Sequence, residues 1–141
     1  MDRPKLIYLI NIAQRRVHAT IAAGGDGHTA ARAGLLLALS KDKPTPMAQV
    51  QQALDLGAPA ASALVDRAIK AKLVERTPDP DDGRAWLLRL TNEGHAARKE
   101  AVRVAKQLND RLCAGFSDSE LAIVERWLGS VREKFPKETI E

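Results

Sequence analysis

Asp79, Asp81, Asp82 and Arg84 crowd into the stretch DPDDGRAWLLRLT, residues 79–91, where they meet a run of alternating apolar residues. Two kinds of chemistry suit that grouping. The acids and the arginine could form a solvated tip, in which an isolated surface pair contributes about 0–1 kcal/mol. Alternatively, the arginine is presented to an anionic partner and Asp82 orients it. Other chemistries lack their residue sets. No nucleophile–base–acid or paired-carboxylate constellation is identifiable, and GGDG at 24–27 lacks the strand and lysine of a nucleotide loop. His18, His28 and His95 lie far apart with no Cys or Glu at ligand spacing, so no metal site is expected. The single cysteine, Cys113, excludes an internal disulfide and fits a reducing compartment. Beside Leu112 and Phe116 it reads as a buried, inert thiol, with a redox sensor as the alternative. The expectation is a protein that is not an enzyme and needs no cofactor.

The 141 residues suit one domain, and 28% charged against 45% hydrophobic residues places the chain among globular rather than disordered sequences. No apolar run approaches the roughly 18 residues that a membrane span needs. The N-terminal MDRPKLIYLINIAQRR is interrupted by Asn11 and Gln14 and lacks a cleavage pattern, so a cytoplasmic protein without a membrane partner is expected. A net charge of +4 hints at an anionic partner. Yet residues 41–90, which contain the acidic tip, carry eight basic and seven acidic side chains. Any such partner must therefore be met by the placement of charges rather than by their sum. With aromatics at 4%, few platforms exist for stacking single-stranded bases, so duplex is the form expected if the partner is nucleic acid.

The elements that must position the tip follow from periodicity. Leu6, Ile10, Ala13, Val17 and Ile21 recur at helical spacing and predict a helix over about 4–23. Thr29 caps a second helix through AARAGLLLALS (30–40), apolar on most sides and central to the core. Thr45 and Pro46 read as a cap and a first-turn proline opening a short helix to about Leu54. DLG (55–57) then joins it to a helix over about 58–72, the spacing of a helix-turn-helix. Its apolar face is Ala61, Leu64, Val65 and Ala68; its other face shows Ser62, Asp66, Arg67 and Lys70. The period then changes to two. LVERT (73–77) is one strand, and Trp86, Leu88 and Leu90 anchor the returning strand to the core. Gly83 is expected to permit the sharp turn that aims Arg84. The acidic tip is thus the end of a β-hairpin wing. Thr91 caps a long helix, and Ser117 with Glu120 forms a capping box for the last one. In that last helix Leu121, Val124, Leu128, Val131 and Phe135 make a coiled-coil-like seam.

The segment ALVDRAIKAKLVERTPDPDDGRAWLLRLTNEG (63–94) resembles the signature of the MarR family of bacterial transcriptional regulators. The matching positions are Leu64, Val65, Asp66, Arg67, Leu73, Val74, Arg76, Asp82, Arg84, Leu90, Thr91 and Gly94. The resemblance extends through HTAARAGLLLALSKDKPTPMAQVQQALDLGAPAAS upstream and, with the flanking helices, spans nearly the whole chain. It implies a homodimer whose recognition helices enter the major groove of palindromic operators while wings reach the minor groove. It also implies small effectors that weaken DNA binding. Three departures stand out. Gly83 replaces a basic wing residue, Lys72 replaces the glycine before Leu73, and APAAS (58–62) is poor in hydrogen-bonding side chains. Base readout then rests on Ser62, on methyl contacts to thymine, or on DNA shape.

The resulting expectation is a mainly α fold with a small β-hairpin wing: a winged helix-turn-helix over 29–90, flanked by dimerisation helices at 4–23 and 91–135. It would act as a sequence-specific, duplex-DNA-binding, ligand-responsive repressor. The alternative is a winged-helix protein-interaction module that has lost DNA binding. The expected DNA contacts are Ser62, Arg67, Lys70, Arg76 and Arg84, with Asp82 and Gly83 supporting the wing. Arg67 could instead pair with Asp66, and Lys70, Lys72 and Arg76 could form a solvated face. Arg98, Lys99, Arg103, Lys106 and Arg111 read as a solvated helix side. Leu9, Ile12 and Leu36 are candidates to line a pocket for a phenolic or aromatic-acid effector.

Overall fold

The computed structural model describes residues 2–25 and 28–137. Its elements run α1 (Leu6–Ala22), α2 (Ala30–Ala38), β1 (Thr45–Pro46), α3 (Met47–Leu54), α4 (Ala58–Lys70), β2 (Val74–Asp79), β3 (Asp82–Leu90), α5 (Asn92–Cys113), α6 (Asp118–Gly129) and α7 (Val131–Lys134). The chain forms two compact units, residues 1–104 and 105–141, with the boundary inside α5. The described fold is mainly helical with one small antiparallel sheet, in the strand order β1-β3-β2.

The core of the first unit is built around α2. Thr29 starts that helix by accepting a hydrogen bond from the Arg32 amide at 3.0 Å. Leu35, Leu36 and Leu39 then bury themselves with Val50 of α3, with Leu64, Val65 and Ala68 of α4, and with Val74, Leu88 and Leu90 of the sheet. The α2 C-terminus is closed by Arg98 of α5, whose Nε donates to the Leu39 carbonyl at 3.3 Å. A cation at that end is favoured by the helix dipole. Arg98 is therefore a cap and not part of a solvated helix side, unlike Arg103 and Lys106, which pair with Glu100 and Asp110 along α5.

Thr45 does not cap α3. It is 2% exposed and pairs with Leu88 as the first residue of β1, and its hydroxyl accepts from the Ser40 amide at 3.0 Å. Strand pairing takes the residue that a helix cap would have used, and Pro46 precedes α3 without a side-chain cap. The turn between α3 and α4 is closed by Asp55 in the left-handed region at φ 56°, whereas Gly57 sits at φ −70° as the residue before α4. Aspartate is among the few non-glycine residues that tolerate this region.

The end of α4 is a Schellman turn. Lys72 takes φ 61°, its amide donates to the Ile69 carbonyl at 2.9 Å, and the Leu73 amide donates to the Ala68 carbonyl at 3.0 Å. Thr91 locks this turn to the start of α5. Its hydroxyl donates to the Lys72 carbonyl at 2.7 Å and accepts from the Gly94 amide at 2.9 Å. Its own amide donates to the Leu73 carbonyl at 3.1 Å. Gly94 is required at this joint, because a Cβ there would lie 1.9 Å from the Leu73 oxygen.

In the second unit Ser117 and Glu120 form the capping box of α6. The seam expected over 121–135 is not carried by one continuous helix: α6 ends at Gly129 and α7 begins at Val131. Ser130 marks the break, its hydroxyl donating to the Trp127 carbonyl at 2.6 Å beside a glycine of low helix propensity.

Candidate nucleic-acid interface

The sequence of α4 sorts its residues cleanly by face. Ala61, Leu64, Val65 and Ala68 are buried. At 100° per residue, Pro59, Ala63, Asp66 and Lys70 run down the opposite face, with Ser62 and Arg67 flanking them, and all six are exposed. Small residues at 61 and 68 let the helix sit close on the core. Arg67 and Lys70 lie in the last turn, whereas the first two turns carry the Ser62 hydroxyl and no cation.

The wing is the β2–β3 hairpin, in register from Val74↔Leu90 to Pro78↔Trp86, with an irregularity at Pro78/Asp79. Its turn residues are Pro80 and Asp81, not Gly83, which lies within β3 and has no positive φ. The acids make the turn. Asp79 Oδ1 accepts from the Asp81 amide at 2.9 Å, and Asp82 Oδ1 accepts from the Arg84 amide at 3.1 Å. Asp82 thus holds the backbone from which the exposed Arg84 side chain projects.

Trp86 departs from the expected core role: it is 40% exposed, while Leu88 and Leu90 on the same strand are buried. Arg76 explains its position, since the guanidinium carbon lies 4.6 Å from the centre of the Trp86 ring. Arg76 Nη1 also lies 3.7 Å from Asp66 Oδ1, both side chains being about half exposed. The Asp66–Arg76–Trp86 series therefore joins the outer face of α4 to both wing strands. The alternative pairing of Asp66 with Arg67 is not the one formed. Sequence reasoning missed the stacked partner because period-two alternation assigns Trp86 to the buried side, and the strand outruns the core beneath it.

Of the remaining candidates, Ser62, Arg67 and Lys70 share the exposed side of α4. Leu9 and Ile12 stand exposed on α1, while Leu36 is 3% exposed inside the core. An open groove of about 720 Å³ lies at the wing base instead, lined by residues including Ile69, Lys72, Arg76, Leu90 and Glu93. Cys113 is half-buried at the end of α5, not enclosed. Among the described residues no group of three His, Cys, Asp or Glu could hold a metal ion, and no helix is long and apolar enough to cross a membrane.

A MarR family model matches residues 26–85, a span that includes α2 through the wing tip. The uncharacterised HTH-type transcriptional regulator YsmB of Bacillus subtilis is 31% identical over 74 residues, covering 52% of this chain and 51% of that protein. The chain thus spans about half the length of that curated relative. Among solved structures, a cysteine-to-serine mutant of MarR from E. coli, complexed with operator DNA, is 26% identical with a TM-score of 0.76, covering 90% of this chain and 91% of that one. The PcaV transcriptional regulator of Streptomyces coelicolor, in complex with its natural ligand, shares the fold at 22% identity and a TM-score of 0.80, covering 94% and 98%.

Proposed function

We propose that the chain is a MarR family regulator, a sequence-specific, duplex-DNA-binding repressor acting as a homodimer on a palindromic operator. The observation that carries this reading is the exposed side of α4, with Ser62, Arg67 and Lys70, tied by Arg76 to a wing that projects Arg84. Arg84 inserts into the minor groove, where negative potential is strongest, and the acids of the tip are spent on turning the backbone rather than facing phosphate. The flanking helices, α1 at one end and α5 to α7 at the other, supply the dimer. A phenolic or aromatic-acid effector that prefers a different spacing of the two recognition helices shifts the population away from DNA. The E. coli relative bound to operator DNA supports the first part, and the family resemblance supports the effector.

The test is a duplex titration at several salt concentrations. Phosphate contacts make log K fall linearly with log salt, with a slope set by their number. The alternative, a winged-helix interaction module, is favoured by the nearly balanced charge of residues 41–90, and it predicts no salt-dependent binding to any duplex. An effector is tested by melting-temperature and DNA-affinity shifts across aromatic acids and phenols.

A further inference from the structure

The first two turns of α4 present methyl and methylene groups where a DNA reader ordinarily carries hydrogen-bond donors. Ala58, Pro59, Ala60 and Ala63 are all exposed there, and Ser62 supplies the lone side-chain hydroxyl of the segment. The cations come too late to read the same bases: Arg67 and Lys70 sit in the last turn, whereas a recognition helix contacts base edges with its N-terminal residues. Asp66, the acceptor that could receive the cytosine amino group, lies 3.7 Å from Arg76. Apart from the Ser62 hydroxyl, what remains facing the groove is apolar, and the thymine 5-methyl is the one apolar group that the major-groove edge offers.

We infer that α4 reads its half-site through thymine methyl groups packed against Pro59, Ala60 and Ala63, and not through hydrogen bonds to guanine. The inference rests on the DNA-binding reading and names what that site recognises. Each methyl so buried contributes about fourfold in affinity, the worth of one buried methylene. Specificity of that size per position is modest, so a half-site needs two or more such thymines beneath one helix.

The test starts from a duplex enriched out of a random-sequence library by the full chain. Each thymine is then replaced by deoxyuridine, which removes the methyl and leaves pairing unchanged. Replacement under α4 should weaken binding about fourfold per methyl, while replacement outside its footprint should change nothing. In Ala63→Gly, checked for folding by its melt, one of those replacements should lose its effect, because the methyl it removes has no partner. Equal binding of thymine and deoxyuridine duplexes would overturn the inference, as would a guanine whose 7-deaza analogue abolishes binding. Both results leave DNA binding itself intact. Enrichment of no duplex at all removes the regulator reading together with this one, and is recognised by the absence of any salt-dependent binding.

Discussion

Arg84 is the residue on which the DNA-binding reading turns. It is exposed, and its backbone is held by Asp82. Arg84→Ala should therefore leave the melt unchanged while weakening operator binding by roughly 1–3 kcal/mol and lowering the salt slope by about one per wing. A melt and a titration at two salt concentrations check it; unchanged affinity would reduce the wing to a structural hairpin. Two other residues make the opposite kind of prediction, on stability without chemistry. Lys72 holds a left-handed conformation at φ 61°, so Lys72→Gly should stabilise by about 0.5–1 kcal/mol. Gly94 faces backbone, where nothing can swing aside, so Gly94→Ala should cost about 3 kcal/mol, the upper end of ordinary overpacking. Denaturant midpoints measure both. The sequence makes these two positions visible as a lysine and a glycine at fixed places in a motif. Their reasons need the fold: Lys72 closes the Schellman turn that ends α4, and the Leu73 carbonyl that accepts from Thr91 lies against Gly94.

At the scale of elements, period and capping chemistry are local, and so they are legible. Thr29, Thr91 and the Ser117–Glu120 box sit where their side chains predict, because each cap is satisfied within three residues. What local reasoning loses is any residue whose partner is distant in sequence. Thr45 is taken by Leu88, Leu39 is capped by Arg98 across 59 positions, and Trp86 is held outside the core by Arg76. Gly83 fails differently: turn composition marks the tip, but Pro80 and Asp81 make the reversal and leave the glycine in the strand. The capping box yields a pH prediction. The Ser117 backbone amide and then its hydroxyl hold the Glu120 carboxyl below its ordinary value of 4.5. A lowered folded-state value contributes stability that is present above 4.5 and is lost as pH falls through the lowered value. Glu120→Gln should remove that part of the acid dependence. Ser117→Ala, which also deletes the cap, should cost the helix about 1 kcal/mol at neutral pH.

For the molecule as a whole, the question is what covers its apolar surface. In the first unit, α1 buries none of its residues: Val17 and Ile21 are half-buried, while Ile7, Tyr8 and Leu9 are 56–69% exposed. In the second unit, Phe116, Ile123 and Leu128 are 58%, 57% and 52% exposed. Such runs are too long for the surface of a stable monomer, and they coincide with the flanking helices to which the family resemblance assigns dimerisation. The expected particle is therefore a dimer of the 15.4 kDa chain, and light scattering at low micromolar concentration should give twice that mass. Leu128→Asp separates this from a simple loss of stability. Leu128 is already half in water in one chain, so a charge there burdens the isolated fold little, but it would be buried without a partner in a dimer seam. The variant should run as a monomer with the helical content of its winged-helix unit intact. It should also bind a palindromic duplex far more weakly, because two half-sites one DNA turn apart can no longer be held by a single particle. A variant that stays dimeric, or a parent protein that is already monomeric, would move the interface away from α6 or remove it.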